Sequence, residues 1–142
     1  MNSVKTILKK KPAEIWTVPP HAKVIEALRM MAEKNVGALM VMENDQLVGI
    51  ISERDYARKV ALMGKTSVDT PISEIMASPV WTVTLQQSRE ECMALMTAKR
   101  IRHLPVLDGG RVVNILSIGD LVKDALNEQE QTIHHLENYV NS

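Results

Sequence analysis

The chain has 142 residues, of which 45% are hydrophobic and 3% aromatic, and it carries nine methionines but no phenylalanine. This length suffices for one ordinary domain, or for two small domains that share an aliphatic, methionine-rich core. The 17 lysines and arginines balance the 17 aspartates and glutamates, which argues against a general nucleic-acid binder.

Other bulk features concern the compartment. Cys92 is the single cysteine, so no internal disulfide can form, which fits a reducing compartment. No apolar run approaches the roughly 20 residues of a membrane span. The N-terminal stretch MNSVKTILKKK lacks the apolar region of a signal peptide. We therefore expect a cytoplasmic protein with no membrane partner.

The first half of the chain predicts a short helical stub followed by a β-α-β-β-α unit. The predicted helices cover residues 4–8, 22–35 and 53–64. The predicted strands cover residues 14–18, 38–42 and 46–52. Val24, Leu28 and Met31 recur at helical spacing, and the turn residues Glu43-Asn44-Asp45 separate the last two strands.

The second half repeats this order after a linker at residues 64–71. The predicted helices cover residues 72–76, 87–100 and 118–129. The predicted strands cover residues 79–83, 103–107 and 111–117. Asp108-Gly109-Gly110 is a strong hairpin signal between the last two strands. Beyond them, Ile133, Leu136 and Val140 form one stripe of a helical tail.

A shift of 65 residues aligns the two halves without a gap. It places Trp16-Thr17-Val18 on Trp81-Thr82-Val83, and it places the pair Ser52 and Asp55 on the pair Ser117 and Asp120. The chain is therefore an internal duplication. We expect repeat 1 with its stub at residues 1–66, repeat 2 at residues 67–127 and a helical tail at residues 128–142. Cys92 aligns with Ala27 on the packed helix face, so we predict a core residue rather than a reactive thiol.

Each unit ends in two apolar residues followed by Ser-x-x-Asp, and a gapless tandem of such units resembles the CBS domain. Two in tandem resemble a CBS pair, or Bateman module, as found in small stand-alone CBS-pair proteins. The most telling stretches are GIISERD at residues 49–55 and RHLPV at residues 102–106. The resemblance covers essentially the whole chain. It implies an α+β fold in which two β-α-β-β-α repeats pack as a pseudo-two-fold pair.

The Ser–Asp pairs have two interpretations. An aspartate and a serine at a helix start can simply cap the helix. The junction of a strand end with a helix N-terminus is also a natural site for phosphate and ribose. The resemblance implies the second role: Ser52 with Asp55, and Ser117 with Asp120, hold the ribose and phosphate of an adenosine ligand.

The resemblance also implies that each site uses the first β segment and the second strand of the other repeat. The residues implied beside Asp55 are Thr82, Val83, Arg102, His103, Leu104 and Pro105. The residues implied beside Asp120 are Thr17, Val18, Ala38, Leu39 and Met40. Their apolar stretches would flank the adenine and hydrogen-bond its edge.

The two halves differ at the predicted sites. Asn114 stands where the motif has a glycine, which puts close ligand approach at Asp120 in doubt and slightly favours a degenerate site. Gly37-Ala38 aligns with Arg102-His103, so a strong cation lies on one second strand only.

The cations near these sites each have a ligand-binding and a structural interpretation. Arg102 is suited to grip a phosphate or is a surface arginine. Arg54 and Arg58 are phosphate candidates or solvated helix charges. His103 hydrogen-bonds a ligand or is a partly buried strand residue. The run Lys9-Lys10-Lys11 is solvated or reaches a ligand phosphate.

These features predict a non-catalytic sensor that binds an adenine nucleotide, with AMP first and ADP, ATP or NAD(H) as further candidates. The alternative is a dimeric protein-interaction scaffold with degenerate ligand sites. We expect no enzyme, because the sequence has no G-x-G-x-x-G motif, no P-loop and no Cys/His cluster. We expect no metal, because His134 and His135 point about 100° apart on a helix.

The resemblance also implies a homodimer. In this family, exposed apolar residues of the last helix of each repeat form such contacts. The candidates here are Tyr56, Val60, Leu62, Leu121, Val122 and Leu126.

Overall fold

The chain forms two compact units, which a computed structural model describes for the backbone of residues 2–141 and the side chains of residues 2–140. The Asp55 unit consists of Glu14–Thr82. The Asp120 unit consists of the residues up to Ala13 together with those from Val83 onwards. The predicted α+β class with two tandem β-α-β-β-α repeats is confirmed.

The stub at the N-terminus packs on the second repeat rather than on the first. Helix α1 (Val4–Leu8) buries Val4 and Ile7 in the core of the Asp120 unit. Val4 N–H donates to the Gln87 carbonyl oxygen at 2.8 Å. The compact units thus follow a different division from the repeats at residues 1–66 and 67–127, because a sequence repeat does not say on which copy a short apolar stub packs.

The Asp55 unit is built on one three-stranded sheet. Its strands are β1 (Thr17–Val18), β2 (Ala38–Glu43) and β3 (Gln46–Ser52), in that order. Strand β1 is parallel to β2, and β2 is antiparallel to β3 with Ala38 opposite Ser52. Helix α2 (Val24–Lys34) connects β1 to β2 and ends where Asn35 adopts a left-handed φ of 55°. Asparagine tolerates this conformation better than most residues.

Helix α3 (Glu53–Tyr56) follows β3 directly and continues as a π-helical turn, Ala57–Ala61, where the sequence predicted one α-helix over residues 53–64. A 3₁₀ turn, Ile72–Glu74, then returns the chain to this unit. The residues buried in its core are Val18, Val24, Ala27, Met31, Leu39, Val41, Ile51, Val60, Ile72 and Ile75.

The Asp120 unit has the same architecture. Its strands are β4 (Val83–Thr84), β5 (His103–Asp108) and β6 (Arg111–Ser117), with β4 parallel to β5 and β5 antiparallel to β6. Helix α4 (Arg89–Lys99) connects β4 to β5, and helix α5 (Ile118–Asn141) follows β6. Besides Val4 and Ile7, its core buries Val83, Cys92, Met96, Leu104, Val106, Leu116 and Leu121.

Helix α5 runs without interruption from the second repeat into the predicted tail. Ile133, Leu136 and Val140 are exposed on it, as an apolar stripe beyond the unit's core. The prediction that Val60 and Leu121 lie on exposed helix faces is wrong, because both side chains pack inside their units' cores. No helix in the described stretch, residues 2–141, combines the length and apolar character needed to cross a bilayer.

Candidate functional site

The Asp55 corner is the junction of β3 with α3, formed by Ser52 and Asp55. The Ser52 hydroxyl oxygen accepts a hydrogen bond from Asp55 N–H at 3.2 Å, and Asp55 Oδ2 accepts one from Ser52 N–H at 2.9 Å. Ser52 Oγ also donates to Asp55 Oδ2 at 3.0 Å. This reciprocal capping box closes the first turn of α3. The Asp55 carboxylate also lies 3.4 Å, through Oδ1, from Lys59 Nζ.

The Asp120 corner is the junction of β6 with α5, formed by Ser117 and Asp120. Asp120 Oδ2 accepts a hydrogen bond from Ser117 N–H at 2.8 Å, and Asp120 N–H donates to Ser117 Oγ at 3.1 Å. Here a lysine joins the carboxylate directly: Lys11 Nζ donates to Asp120 Oδ2 at 2.7 Å and also to the Ile115 carbonyl oxygen. The same cap therefore exists in both corners, but within residues 2–140 a cation contacts the capping oxygen of Asp120 and not that of Asp55.

The electrostatics of the Asp120 corner follow from these contacts. Burial alone would raise the pKa of the Asp120 carboxyl, but the hydrogen bonds from Lys11 and Ser117 outweigh burial and hold the pKa below its usual value. Asp120 is thus kept ionised. Two aspartates at equivalent sequence positions consequently have different surroundings.

Arg102 and His103 lie beside the Asp120 corner, on the strand that pairs with β6. His103 is opposite Ser117 in the ladder, and the Arg102 carbonyl oxygen accepts from Ile118 N–H at 2.9 Å. Burial, followed by the positive charge of Lys11, lowers the pKa of the half-buried His103, against the opposing attraction of Asp120. His103 is therefore held in its neutral form, and Arg102 and Lys11 supply the positive charge.

The structure distributes the other predicted site residues between the units. Thr17, Val18, Ala38, Leu39, Met40, Arg54 and Thr82 belong to the Asp55 unit, with Ser52 and Asp55. Val83, Leu104 and Pro105 belong to the Asp120 unit, with Arg102, His103, Ser117 and Asp120. Within each unit the second strand runs beside its own Ser–Asp corner. The expected assignment of each second strand to the corner of the other repeat stays a prediction.

Several of these residues serve the cores. Val18, Leu39, Val83 and Leu104 belong to the buried clusters of their units, and Met40 is fully buried. Their side chains are thus committed to packing, so a ligand at these strand positions would meet mainly backbone. Arg54 lies exposed on the first turn of α3.

Thr17 and Val18 also line an open cavity of about 380 Å³ within the Asp55 unit. Its lining includes three titratable side chains that were not predicted to form a site: His21 and Lys23, which precede α2, and Glu26 in its first turn. The sequence feature that could have identified these side chains is their position between β1 and the first turn of α2. This cavity combines apolar wall with hydrogen-bonding groups, as small-molecule sites commonly do.

Other candidate chemistry has a structural explanation. Cys92 is fully buried, and burial raises the pKa of its thiol to about 11, which confirms a core residue rather than a reactive one. Across residues 2–140 no cluster of three metal-ligating side chains is found.

The CBS domain family matches residues 4–62 and 72–127 of this chain. Among solved structures, a protein with CBS domains from Burkholderia ambifaria MC40-6 superimposes with a TM-score of 0.88 at 50% identity, covering 90% of this chain and 96% of that chain. The mitochondrial CBS domain-containing protein CBSX3 of Arabidopsis thaliana is 38% identical over 122 residues, which is 82% of this chain. The match spans only 59% of CBSX3.

A third similar protein was solved with ligands. The CBS domain pair of protein MJ0100, in complex with methylthioadenosine and S-adenosyl-L-methionine, superimposes with a TM-score of 0.78 at 28% identity. That match covers 90% of this chain and 98% of that chain. CBS domains are in general regulatory rather than catalytic modules. With the family matched over both repeats and its β-α-β-β-α architecture present in both units, this chain belongs to the CBS-domain family and carries two CBS domains in tandem.

Proposed function

We propose that the chain is a regulatory module that binds an adenine nucleotide and catalyses no reaction. The observation that carries the proposal is the Ser–Asp corner, present in both repeats where a strand end opens a helix. The positive end of the helix dipole at such a junction favours phosphate, and a carboxylate accepts hydrogen bonds from ribose hydroxyls. The adenosine-containing ligands of the MJ0100 domain pair support the same ligand class.

Each aspartate retains an oxygen for a ligand. The capping bonds in both corners go to Oδ2, so Oδ1 is the oxygen assigned to a ligand; Asp55 Oδ1 also has Lys59 Nζ at 3.4 Å. The two carboxylates are 18% and 27% exposed, so water and small ligands have access to them. We assign the ribose hydroxyls to these Oδ1 atoms, and the phosphate to the helix start and the nearby cations.

AMP is the proposed ligand, because a corner that combines a carboxylate with a cation suits a ribose carrying one phosphate. ADP, ATP and NAD(H) share the same recognised groups and remain candidates. The backbone of the second strands and the first β segments takes the adenine in this proposal. The residues so assigned are Thr17, Val18, Ala38, Leu39, Met40, Thr82, Val83, Leu104 and Pro105, with Arg54, Arg102 and His103 toward the phosphate.

Regulation requires that the ligand bind two conformations or two complexes with different affinity. We assign the Ser–Asp pairs to ligand binding and capping rather than to catalysis, since the hydroxyl oxygen of each serine accepts the N–H hydrogen bond that caps its helix. We place the protein in the cytoplasm, where a thiol such as Cys92 stays reduced.

The test is a thermal-shift screen of the purified protein against AMP, ADP, ATP, NAD+, NADH, S-adenosylmethionine and GMP. A ligand that binds only the folded state raises the melting temperature. We expect a clear rise with an adenine compound and none with GMP. Calorimetry then compares Asp55→Asn and Asp120→Asn, which keep the side-chain shape, with Glu130→Gln, which removes an exposed charge further along α5.

Loss of a charge-assisted hydrogen bond should weaken binding about tenfold or more in an aspartate variant, and Glu130→Gln should bind like the wild type. Absence of any shift at millimolar ligand would instead mean that the Ser–Asp pairs serve only as caps.

A second candidate, an interaction scaffold, is favoured by one observation. Both caps are complete without a ligand, and α5 extends an apolar stripe in which Ile133 is 55% exposed and Leu136 57% exposed. We propose a homodimer under either function. Light scattering at tens of micromolar should give twice the mass of one chain, and a monomeric mass would contradict the dimer.

A further inference from the structure

Lys11 enters the Asp120 corner from a segment far away in the sequence. Its ammonium group contacts Asp120 Oδ2 at 2.7 Å and the Ile115 carbonyl oxygen. The side chains of Lys11 and Asp120 are 25% and 27% exposed, so the pair lies at an accessible surface. In the sequence, Lys11 is one member of a lysine run whose neighbours Lys9 and Lys10 are exposed. The structure thus singles out one lysine of three.

The segment that carries Lys11 is attached to β6 by a second contact. Asn114 Nδ2 donates to the Pro12 carbonyl oxygen at 3.2 Å, and Asn114 Oδ1 accepts from Ile115 N–H at 2.8 Å. Asn114 is nearly fully buried, so these bonds satisfy a side chain that would otherwise be costly to bury. Lys11 is therefore held in position from both ends: by its own ammonium and by the backbone next to it.

This attachment leaves unused hydrogen-bonding capacity beside the carboxylate. An ammonium group has three donors, and two of them are used by Asp120 and Ile115. Asp120 Oδ1 accepts no hydrogen bond from residues 2–140. A free donor with positive charge next to a free carboxylate acceptor is the pair that a phosphorylated ribose requires, whereas an unphosphorylated ribose needs the acceptor alone.

The Asp55 corner offers a different arrangement. Its lysine, Lys59, lies toward Oδ1 at 3.4 Å, is 47% exposed and donates to the Ile75 carbonyl oxygen at 3.0 Å. Its second strand begins with Ala38, where the Asp120 unit has His103 preceded by Arg102. On the first turn of α3 the charges of Glu53 and Arg54 offset each other, and α5 has the uncharged Ile118 and Gly119 at the equivalent positions, so Arg102 is the cation that distinguishes the Asp120 corner. The Asp120 corner is thus the more positive of the two.

We propose that Lys11 is a specificity-determining residue that makes the Asp120 corner select phosphorylated over unphosphorylated adenosine ligands. The inference rests on the proposed function and assigns one of its two corners to the phosphate-bearing ligand. Lys11 acts here through the charge and the third donor of its ammonium, and its bonds to Asp120 and Ile115 orient that donor.

The experiment titrates AMP and adenosine by calorimetry into protein that carries Asp55→Asn, so that the Asp120 corner is the site that is read. In this background Lys11→Gln should weaken AMP binding about tenfold and leave adenosine within about twofold. Lys10→Gln, the adjacent exposed lysine, is the matched control and should change neither. Lys11→Arg keeps the charge and should keep the preference for AMP, even if its melting temperature differs.

The outcomes separate the two proposals. Equal weakening of AMP and adenosine by Lys11→Gln, or no change in either, would show that Lys11 only fixes the segment to β6, and the inference fails while nucleotide binding stands. If the wild type binds AMP and the Asp55→Asn variant does not, the Asp120 corner is not a site, and the inference again fails while nucleotide binding stands. Absence of binding by the wild type overturns the proposed function, and this inference with it.

Discussion

Replacing Asp124, a buried carboxylate of α5, should strongly destabilise the Asp120 unit. Its side chain is only 3% exposed, and its carboxylate accepts from Arg89 at 2.9 Å and from Asn2 Nδ2 at 2.9 and 3.1 Å. These bonds join α4 and α5 to the residues just before α1. Asp124→Ala removes all three bonds and leaves Arg89 beside the vacated position.

The magnitude follows from what Arg89 retains. Breaking a buried ion pair typically costs about 3–5 kcal/mol, because the remaining charge is left unpaired. Arg89 is 12% exposed and still has Glu90 and Glu128 as partners, and the hydrogen bond to Glu128 is the main reason that its pKa is raised. We therefore expect about 3 kcal/mol of lost unfolding free energy for Asp124→Ala, near the lower limit of that range.

Urea unfolding followed by circular dichroism measures this loss. Glu130→Ala, an exposed position on the same helix, is the control and should stay within about 0.5 kcal/mol of the wild type. Hydrogen exchange of the α1 amides should also be faster in Asp124→Ala than in the wild type. The Asn2 side chain donates to Asp124, and the Asn2 carbonyl oxygen accepts from Arg89 N–H at 2.9 Å, so both contacts hold the residues just before α1. A loss below about 1 kcal/mol for Asp124→Ala would refute the reasoning, since a network with these contacts cannot be worth so little.

Two further predictions concern the two corners. Gly49→Ala should cost about 1–3 kcal/mol of unfolding free energy, since the added Cβ would overlap the Met76 side chain and lie 3.2 Å from the Ala77 carbonyl oxygen. Gly119→Ala is the control and should not destabilise, because its Cβ meets only Ser117 Oγ at 3.5 Å. Equal melting temperatures for the two variants would contradict the packing argument. The pKa of His103 in the folded protein lies below its ordinary 6.5. As the pH falls through this range, the unfolded chain takes up a proton more readily than the folded protein, so unfolding free energy that is present at higher pH is lost. His103→Gln should therefore reduce the loss of unfolding free energy between about pH 7.5 and about pH 5.5, and an unchanged difference would show that His103 contributes nothing.

The regular elements could be predicted from sequence because their signals are local. Apolar runs on both sides of Asp108-Gly109-Gly110 specify the hairpin of β5 and β6, and observed and predicted strands agree within one residue. The caps were equally readable, since Ser-x-x-Asp at a strand end is a local pattern. The left-handed ends of α2 and α4, at Asn35 and Arg100, were not predicted, and arginine gives no signal for that conformation.

Long-range partners could not be predicted in the same way. Lys9, Lys10 and Lys11 are chemically identical in the sequence, and only packing shows that Lys11 reaches Asp120. Similarly, the exposure of Val60 and Leu121 was misjudged because periodicity identifies an apolar face without saying whether a core or solvent covers it.

The second repeat has Asn114 where the motif has a glycine, and this difference is connected to the presence of Lys11 at the Asp120 corner. Gly49 is needed in the first repeat because Met76 and Ala77 cross directly over it, and Ala77 exchanges backbone hydrogen bonds with Ile50. The second repeat has Asn114 at the equivalent position, and the segment that approaches it is the one containing Pro12, three residues longer than its counterpart.

A longer segment leaves room for a side chain, and Asn114 uses that room to bind the Pro12 carbonyl oxygen. The same segment delivers Lys11 to Asp120. Loss of the glycine is therefore not evidence that the Asp120 corner has degenerated into a simple cap. It accompanies the gain of a cation, which makes a difference in ligand preference between the corners a better explanation than the loss of one site.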